Sequence, residues 1–582
     1  MTTWSDFDDY IQSSLPTWSC PGAAVGVIRD DEVVYRAAHG LRDVEDELPL
    51  TPETRFAMAS VTKSFTAMSV ALLVDEGKVE WDEPVREYVP ELVLNDAYAS
   101  QHLSLRDMLS HRSGMPRHDL AAWRLDLPRA EFVKRMRHLR FNASFRERFS
   151  YNNLMYYALA HVVERVAGQR WEDFVAERIF TPLGMHGSNF APEAPREGQE
   201  NALGYRVDRD EEGRAKGLIR LPFGAHTELS PSAAGALFST LDDQLRWVGL
   251  QANRGRWGEV QLVDPRTCDQ MHLPVTVQPG GGPWSEVLGN ALFTYALGWS
   301  VEPYRGHTLV QHGGNVEGHS LQIGFVPRER TGVVVLTNGA MMPLRDVLFY
   351  EALDRALDLE PRDWNARFHR LFDEDFRAMA KGKVTEASER HESGPPSHAL
   401  EAYAGTFRAE GYPDIEVRRD GEVMQARLVD SLDWSPLRHV HYDVFAWDLT
   451  SFLDTTMRVR FQTDEHGELD ALVVPIEPEV DDVAFRRSPL ELPGAVVQAL
   501  VGEYETPIEG LSLRFSSIGG ELHVTDPGGT PEALQPYRLT DDTVVLRRKR
   551  IRYEFALEGD VSTRLTIKSP NTTLEATRLE PA

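Results

Sequence analysis

Ser60 and Lys63 stand three residues apart in Ser60-Val61-Thr62-Lys63, a spacing that puts a hydroxyl and an amine on one helical face within reach of each other. An amine so placed lowers the cost of removing the serine proton, and a helix N-terminus favours the negative charge that then develops. Alone, the pair reads equally well as an N-capping serine beside a surface lysine. No other lysine of the chain has serine three positions before it.

Two further groups could join that chemistry. Tyr151-Asn152-Asn153 supplies a phenol and a carboxamide, and no other tyrosine has asparagine two residues later. A phenol with an ordinary pKa near 10 is a weak base at neutral pH, so this reading expects a nearby cation, Lys63, to depress it. The bland alternative is a core tyrosine next to an N-cap, Asn153 preceding Leu154. His312-Gly313-Gly314 offers a ring at the end of a strand, followed by glycines that let another backbone come close. A single histidine is more often structural, yet no other histidine here has glycine two positions on.

Taken in order, S-x-x-K, Y-x-N and H-x-G resemble the signature of the serine β-lactamase and penicillin-binding-protein superfamily. The resemblance extends over about residues 5 to 355. It includes Leu109-Ser110-His111-Arg112-Ser113-Gly114-Met115, Ile179-Phe180-Thr181-Pro182-Leu183-Gly184-Met185, Ala233 to Asp242 and Leu297-Gly298-Trp299. It implies a serine hydrolase that forms an acyl-enzyme at Ser60, with Lys63 and Tyr151 shuttling protons and His312 tuning the site or binding substrate. By the same resemblance Asn153 orients a substrate amide, and an oxyanion is met by backbone N–H groups of Ser60 and Asn315, beside Gly313 and Gly314. Tyr151 points to the branch of class C β-lactamases, esterases and D-aminopeptidases, and histidine in place of lysine in the third motif resembles the D-aminopeptidases. An amidase or peptidase of that type is expected; the alternatives are a carboxylesterase or weak β-lactamase on the same scaffold, or a non-catalytic penicillin- or peptide-binding protein. No metal and no cofactor is required.

The elements that must position these residues are legible from periodicity. Ala24 to Ile28 and Val33 to Tyr35 read as a hairpin turning at Arg29 to Glu32. Phe65, Met68, Val70, Ala71, Leu73 and Val74 recur at helical spacing, so Ser60 opens a buried helix that stops at Gly77. Further helices are expected over Leu154 to Val166, ending at Gly168, and over Trp171 to Ile179, closed by Pro182. Strands are expected at Leu309 to His312, Ser320 to Val326 and Thr331 to Thr337, which places His312 at a sheet edge. Asp363 to Lys383 reads as an amphipathic helix and Glu392 to Ser397 as a linker. Beyond it Leu400, Tyr403, Gly405 and Phe407 are echoed by Leu500, Gly502 and Tyr504, a weak internal repeat. The expected fold class is α+β: a β-lactamase/transpeptidase-like catalytic domain, an antiparallel sheet flanked by helices plus a helical subdomain, over 1–385. A linker over 386–398 then leads to two small antiparallel β-barrels over 399–490 and 491–582, expected to restrict the active-site entrance.

Composition bounds the rest. The 582 residues are 42% hydrophobic with 12 Trp and 25 Phe, enough for several packed cores. A net charge of -28 argues against nucleic acid, and the run Arg547, Arg548, Lys549, Arg550 reads as a solvated strand face. Cys20 and Cys268 make no disulfide framework. No stretch approaches the ~18 apolar residues of a membrane span, and the acidic start, Asp6, Asp8 and Asp9, does not resemble a signal peptide. A cytoplasmic protein acting on a small peptide, amide or ester follows as the expectation, with no membrane partner and with self-association into a homo-oligomer left open. His439 and His441 are expected to be barrel-surface histidines.

Overall fold

Asp30 and Asp31 both take positive φ, 51° and 68°, the conformation of a two-residue hairpin turn, and fold Gly22–Arg29 (β1) onto Glu32–Asp43 (β2) with Arg29 opposite Glu32. The second strand runs eight residues past Tyr35, pairing with β1 as far as Gly40 and then, at Leu41 and Asp43, with Leu48–Pro49 (β3). The computed structural model describes residues 4–579, apart from 124, 126, 191–199, 211–213, 222–232, 281, 317, 342, 373–393, 450–454, 466, 540–541, 559–560 and 570.

Six more strands complete an antiparallel sheet: Thr276–Gln278 (β4), Phe293–Tyr295 (β5), Ser300–Tyr304 (β6), His307–Val316 (β7), His319–Val326 (β8) and Thr331–Thr337 (β9). Their order is β4-β5-β6-β7-β8-β9-β1-β2-β3. The motif histidine is therefore on an interior strand, contrary to the edge position expected. Pairing of β6 with β7 ends at Gln311, however, so His312 to Val316 have a neighbour on one side only, β8.

Both faces of the sheet are covered, and the period-2 alternation shows which residue goes where. Ala23, Val25, Val27, Val333 and Val335 share a core with the helices Phe7–Thr17 (α1) and Leu344–Ala356 (α5). Ala24, Ile28, Val334 and Leu336 join the opposite core, with the helices Thr62–Asp75 (α2), Leu154–Ala167 (α3) and Leu241–Ala252 (α4). Gly77 at φ 66° follows α2, and Gly168 at φ 75° caps α3, as their sequence positions imply. Pro182 does not close its helix: a π-helical turn, Ala176–Phe180, leads into Thr181–Leu183, and Gly184 at φ 64° ends it. Proline is tolerated there because the start of a helical segment needs no donor at that position. Residues 364–372 are helical, with Trp364 and Phe368 buried against the α5 side. The rest of the helix expected to Lys383, like Glu392 and Ser393 of the linker, lies outside the described residues.

The carboxy-terminal region forms two antiparallel barrels. Eight strands from Gly405–Arg408 to Val483–Arg487 pair in sequence order and close. In the second barrel nine strands form one sheet whose end strands, Glu532–Ala533 and Gln535–Leu539, are consecutive in the chain. One continuous segment thus pairs with each edge in turn and nearly closes the barrel. The repeat read from sequence has a structural counterpart. Arg487 of the last strand of the first barrel donates to the carbonyls of Ala402 and Ala404, beside Gly405. Arg578 of the second donates to the carbonyls of Ala499 and Val501, beside Gly502. The basic run is paired, not free: Arg547 with Asp464, Arg548 with Asp526, Lys549 with Glu532 and Arg550 with Glu465. His439 turns its Nε2 toward the carbonyl of Tyr442. Among the described residues no helix is long and apolar enough to cross a membrane.

Candidate active site

Ser60 sits in the single 3-10 turn Ala59–Val61 that feeds α2, and Ala59 before it has φ 45°. A non-glycine residue in that region is strained and persists only where its surroundings over-determine it. The Met58 N–H bonds the Leu237 carbonyl at 2.7 Å, the Thr62 hydroxyl bonds the Ala59 carbonyl at 2.6 Å, and the Leu237 N–H bonds the same hydroxyl at 3.1 Å. The stretch from Ala233, flagged in the sequence as a family landmark, is therefore what clamps this turn.

Around Ser60 the expected residues converge. Lys63 Nζ lies 3.1 Å from Ser60 Oγ and 2.9 Å from the Ala234 carbonyl, and the Tyr151 hydroxyl lies 3.0 Å from the same Oγ. Lys63 Nζ also stands 4.9 Å over the Tyr151 ring and 5.4 Å over that of Tyr156. Lys63 is fully buried, and burial, reinforced by the Arg117 charge, holds its amine well below the usual lysine range. Burial pushes the Tyr151 phenol up to about 12, outweighing the opposing pull of Ser60 and Arg117. Lys63 therefore does not depress the phenol as expected: burial is the largest influence on both groups and disfavours the charged form of each.

The third motif approaches from β7. His312 and Gly314 face the α2 side; a Cβ on Gly314 would come within 2.5 Å of the Met58 carbonyl and 3.2 Å of Ala59 Cβ. Glycine is thus what lets β7 lie against the turn that carries Ser60. Gly313 faces the other way, toward Gln322 and Arg345, and the Arg345 guanidinium donates to the Gly314 carbonyl at 3.0 Å. Asn315 is exposed, and its Oδ1 accepts from the Ser320 hydroxyl at 3.0 Å. His312 is buried with both nitrogens engaged. Its Nδ1 must donate to the Gly313 carbonyl at 2.7 Å, so its Nε2 accepts from the Tyr295 hydroxyl at 2.8 Å. Burial and Lys63 bring its pKa down to about 3, which keeps the ring neutral.

Asn153 donates from Nδ2 to Asp119 Oδ1 at 2.8 Å. A carboxylate only accepts, which fixes the amide's orientation and leaves Asn153 Oδ1 as an acceptor. Asp119 holds Arg117 with its other oxygen, at 2.7 Å from Nε, and the Arg117 guanidinium lies 5.3 Å from the centre of the Tyr151 ring. His111 packs 4.3 Å from that ring and accepts the Asn152 N–H at Nδ1, so its buried Nε2 carries the proton. Sequence reasoning missed Arg117, Asp119 and Tyr295 altogether and treated His111 only as a landmark. The one available signal was the closeness of Arg117 and Asp119 to the His111–Met115 stretch.

Residues 7–356 match the family model described as Beta-lactamase, and residues 389–489 match a domain of unknown function, DUF3471. Unguisins hydrolase ungD′ of Aspergillus campestris is 28% identical over 438 residues, 72% of this chain and 78% of that protein. Protein flp of Staphylococcus aureus strain MW2 is 24% identical over 341 residues, 57% of this chain and 62% of that protein. Among solved structures, the octameric penicillin-binding protein homologue from Pyrococcus abyssi superposes with a TM-score of 0.53 at 20% identity, covering 99% of this chain and all of that one.

Proposed function

The chain belongs to the Beta-lactamase family and is a hydrolase of serine type by that membership, and on that premise we propose that it cleaves a small peptide or amide through an acyl-enzyme at Ser60. The observation that carries this reading is one serine Oγ held at 3.1 Å from a buried amine and 3.0 Å from a buried phenol. In the proposed cycle Ser60 Oγ bonds to the substrate carbonyl carbon as its proton passes to neutral Lys63. Lys63 returns a proton to Tyr151 while Tyr151 gives its own to the leaving nitrogen, and the C–N bond breaks. Water then attacks the Ser60 ester, and the same pair carries its proton back to Ser60 Oγ. A phenol near 12 suits a donor to nitrogen, and a depressed lysine suits the first acceptor.

The backbone N–H groups of Ser60 and Asn315 would receive the oxyanion, the contact of Gly314 with Met58 and Ala59 bringing the two segments together; each such donor contributes about 100- to 1,000-fold. Asn153 Oδ1, left free to accept, would take a substrate N–H, which favours an amide or peptide over an ester. Neutral His312 would hold Tyr295 and β7 in place. D-aminopeptidase-type selectivity, homo-oligomer formation and a cytoplasmic location remain parts of the same proposal.

Ser60→Ala should lose turnover and fluorophosphonate labelling while keeping its circular dichroism and melting temperature. Full activity in that variant rejects the scheme. Turnover of D-alanine p-nitroanilide against p-nitrophenyl butyrate separates amidase from esterase; hydrolysis of the ester alone would leave the acyl-enzyme standing and remove the amide assignment.

A further inference from the structure

Resting on the acyl-enzyme reading, we propose that Arg117 is a substrate-binding residue that receives a substrate carboxylate close to the scissile carbonyl. Arg117 stands beside the Tyr151 ring with half of its side chain exposed, although its neighbours Pro116 and His118 are buried. Only its Nε is committed, to Asp119; among the described residues its remaining guanidinium donors take no side-chain acceptor. Two unengaged N–H edges on a planar cation match a carboxylate's two oxygens.

The guanidinium lies 5.3 Å from the centre of the Tyr151 ring, and the hydroxyl of that tyrosine is 3.0 Å from Ser60 Oγ, so a single side chain stands between the cation and the serine. Asp119 fixes Arg117 and Asn153 through one carboxylate, so the substrate N–H acceptor and the cation form one rigid unit. The third motif cannot supply the same function: His312 is buried and uses both nitrogens, and Arg345 lies behind β7 on the Gly314 carbonyl. The loop is also held in place from outside. Its His118 donates its N–H to Glu477 at 2.6 Å and meets the Tyr412 hydroxyl at 2.6 Å, both from the first barrel. A free ammonium is the competing ligand, but Asp119 already pairs with the Arg117 cation, whose charge beside it disfavours a second one.

The test uses the full chain turning over p-nitrophenyl butyrate, inhibited by N-acetyl-D-alanine or by N-acetyl-D-alaninamide, and by the L-forms of each. The carboxylate of at least one enantiomer should inhibit about tenfold or more tightly than its amide, and Arg117→Met should bring the two inhibition constants together. Arg117→Lys should retain part of the difference. Equal constants in the wild type, no inhibition by either carboxylate, or a preference that survives Arg117→Met overturns the assignment. A wild type without a carboxylate preference overturns the assignment even if the variants fold poorly. Absence of ester turnover, with no phosphonate adduct at Ser60, would instead reject the acyl-enzyme reading on which this inference rests.

Discussion

Burial of Lys63 has a consequence for stability that is opposite in sign to that of an ordinary surface lysine. Its folded pKa is lowered, so between that value and the usual 10.5 the unfolded chain holds a proton that the folded chain does not. Unfolding free energy should therefore rise with pH through that window, by about 1.4 kcal/mol per pH unit from this group. Lys63→Met removes the term at similar volume. The variant should be inactive and more stable than the wild type at neutral pH, with the difference shrinking toward pH 10; urea unfolding from pH 7 to 10 measures it, and a difference independent of pH would contradict it. That behaviour could not be read from the chain, although Ser60, Lys63, Tyr151 and His312 could. Residue type and spacing reveal which groups meet, whereas the charge each carries depends on desolvation by Tyr156, Tyr295 and His111, which arrive from other segments. Arg117 and Asp119 were hidden for the same reason, since a loop residue has no periodicity to betray its partner.

At the scale of elements, β7 approaches the turn that carries Ser60 more closely than a side chain allows. Gly314→Ala would set a Cβ 2.5 Å from the Met58 carbonyl, a backbone atom that cannot swing aside. The strand or the turn must shift, and a displacement of ~1 Å at the reacting groups costs about 100-fold. A fall in kcat of that order with the protein still folded is expected, and near-normal kcat would mean the two segments are not catalytically coupled. The next strand carries a second test. Glu302 on β6 is 3% exposed, with its carboxyl pushed up to about 7 chiefly by burial. The folded chain thus keeps a proton that the unfolded one releases between pH 4.5 and about 7, so stability falls as pH rises through that range, by roughly 3 kcal/mol, and levels off above it. Glu302→Gln should flatten that slope in thermal melts, and an unchanged slope would assign it to other groups. The strands and helices themselves were legible because the apolar run from Ala24 to Ile28 and the helical spacing of apolar residues in α2 both belong to packed cores. The interior place of β7 was not, since sheet order depends on which distant strands, here β4 to β6, add beyond it.

The whole molecule is built so that its first barrel is part of the catalytic domain's core. Tyr412 and Leu432 of that barrel belong to the same buried cluster as Leu120, Ala121 and Leu139. The two joints along the chain differ in what they touch. Between the barrels, Arg547 pairs with Asp464 at 2.5 Å and lies 3.7 Å over Tyr537, far in sequence from any site residue. Between the first barrel and the catalytic domain, Glu477, 4% exposed, accepts the N–H of His118 at 2.6 Å and that of Glu479 at 3.1 Å. Removing a buried acceptor strands its donors, at a cost of about 1–3 kcal/mol. Arg547→Met and Glu477→Ala should therefore both lower the melting temperature by a few degrees. Only Glu477→Ala should also lower kcat/KM, because the loop it releases carries Arg117 and the Asp119 that orients Asn153. Glu477→Gln, which keeps an oxygen for the His118 N–H, should recover most of both losses. If Arg547→Met depressed kcat/KM as much as Glu477→Ala did, activity would be following global stability, and the barrel would have no specific hold on the site.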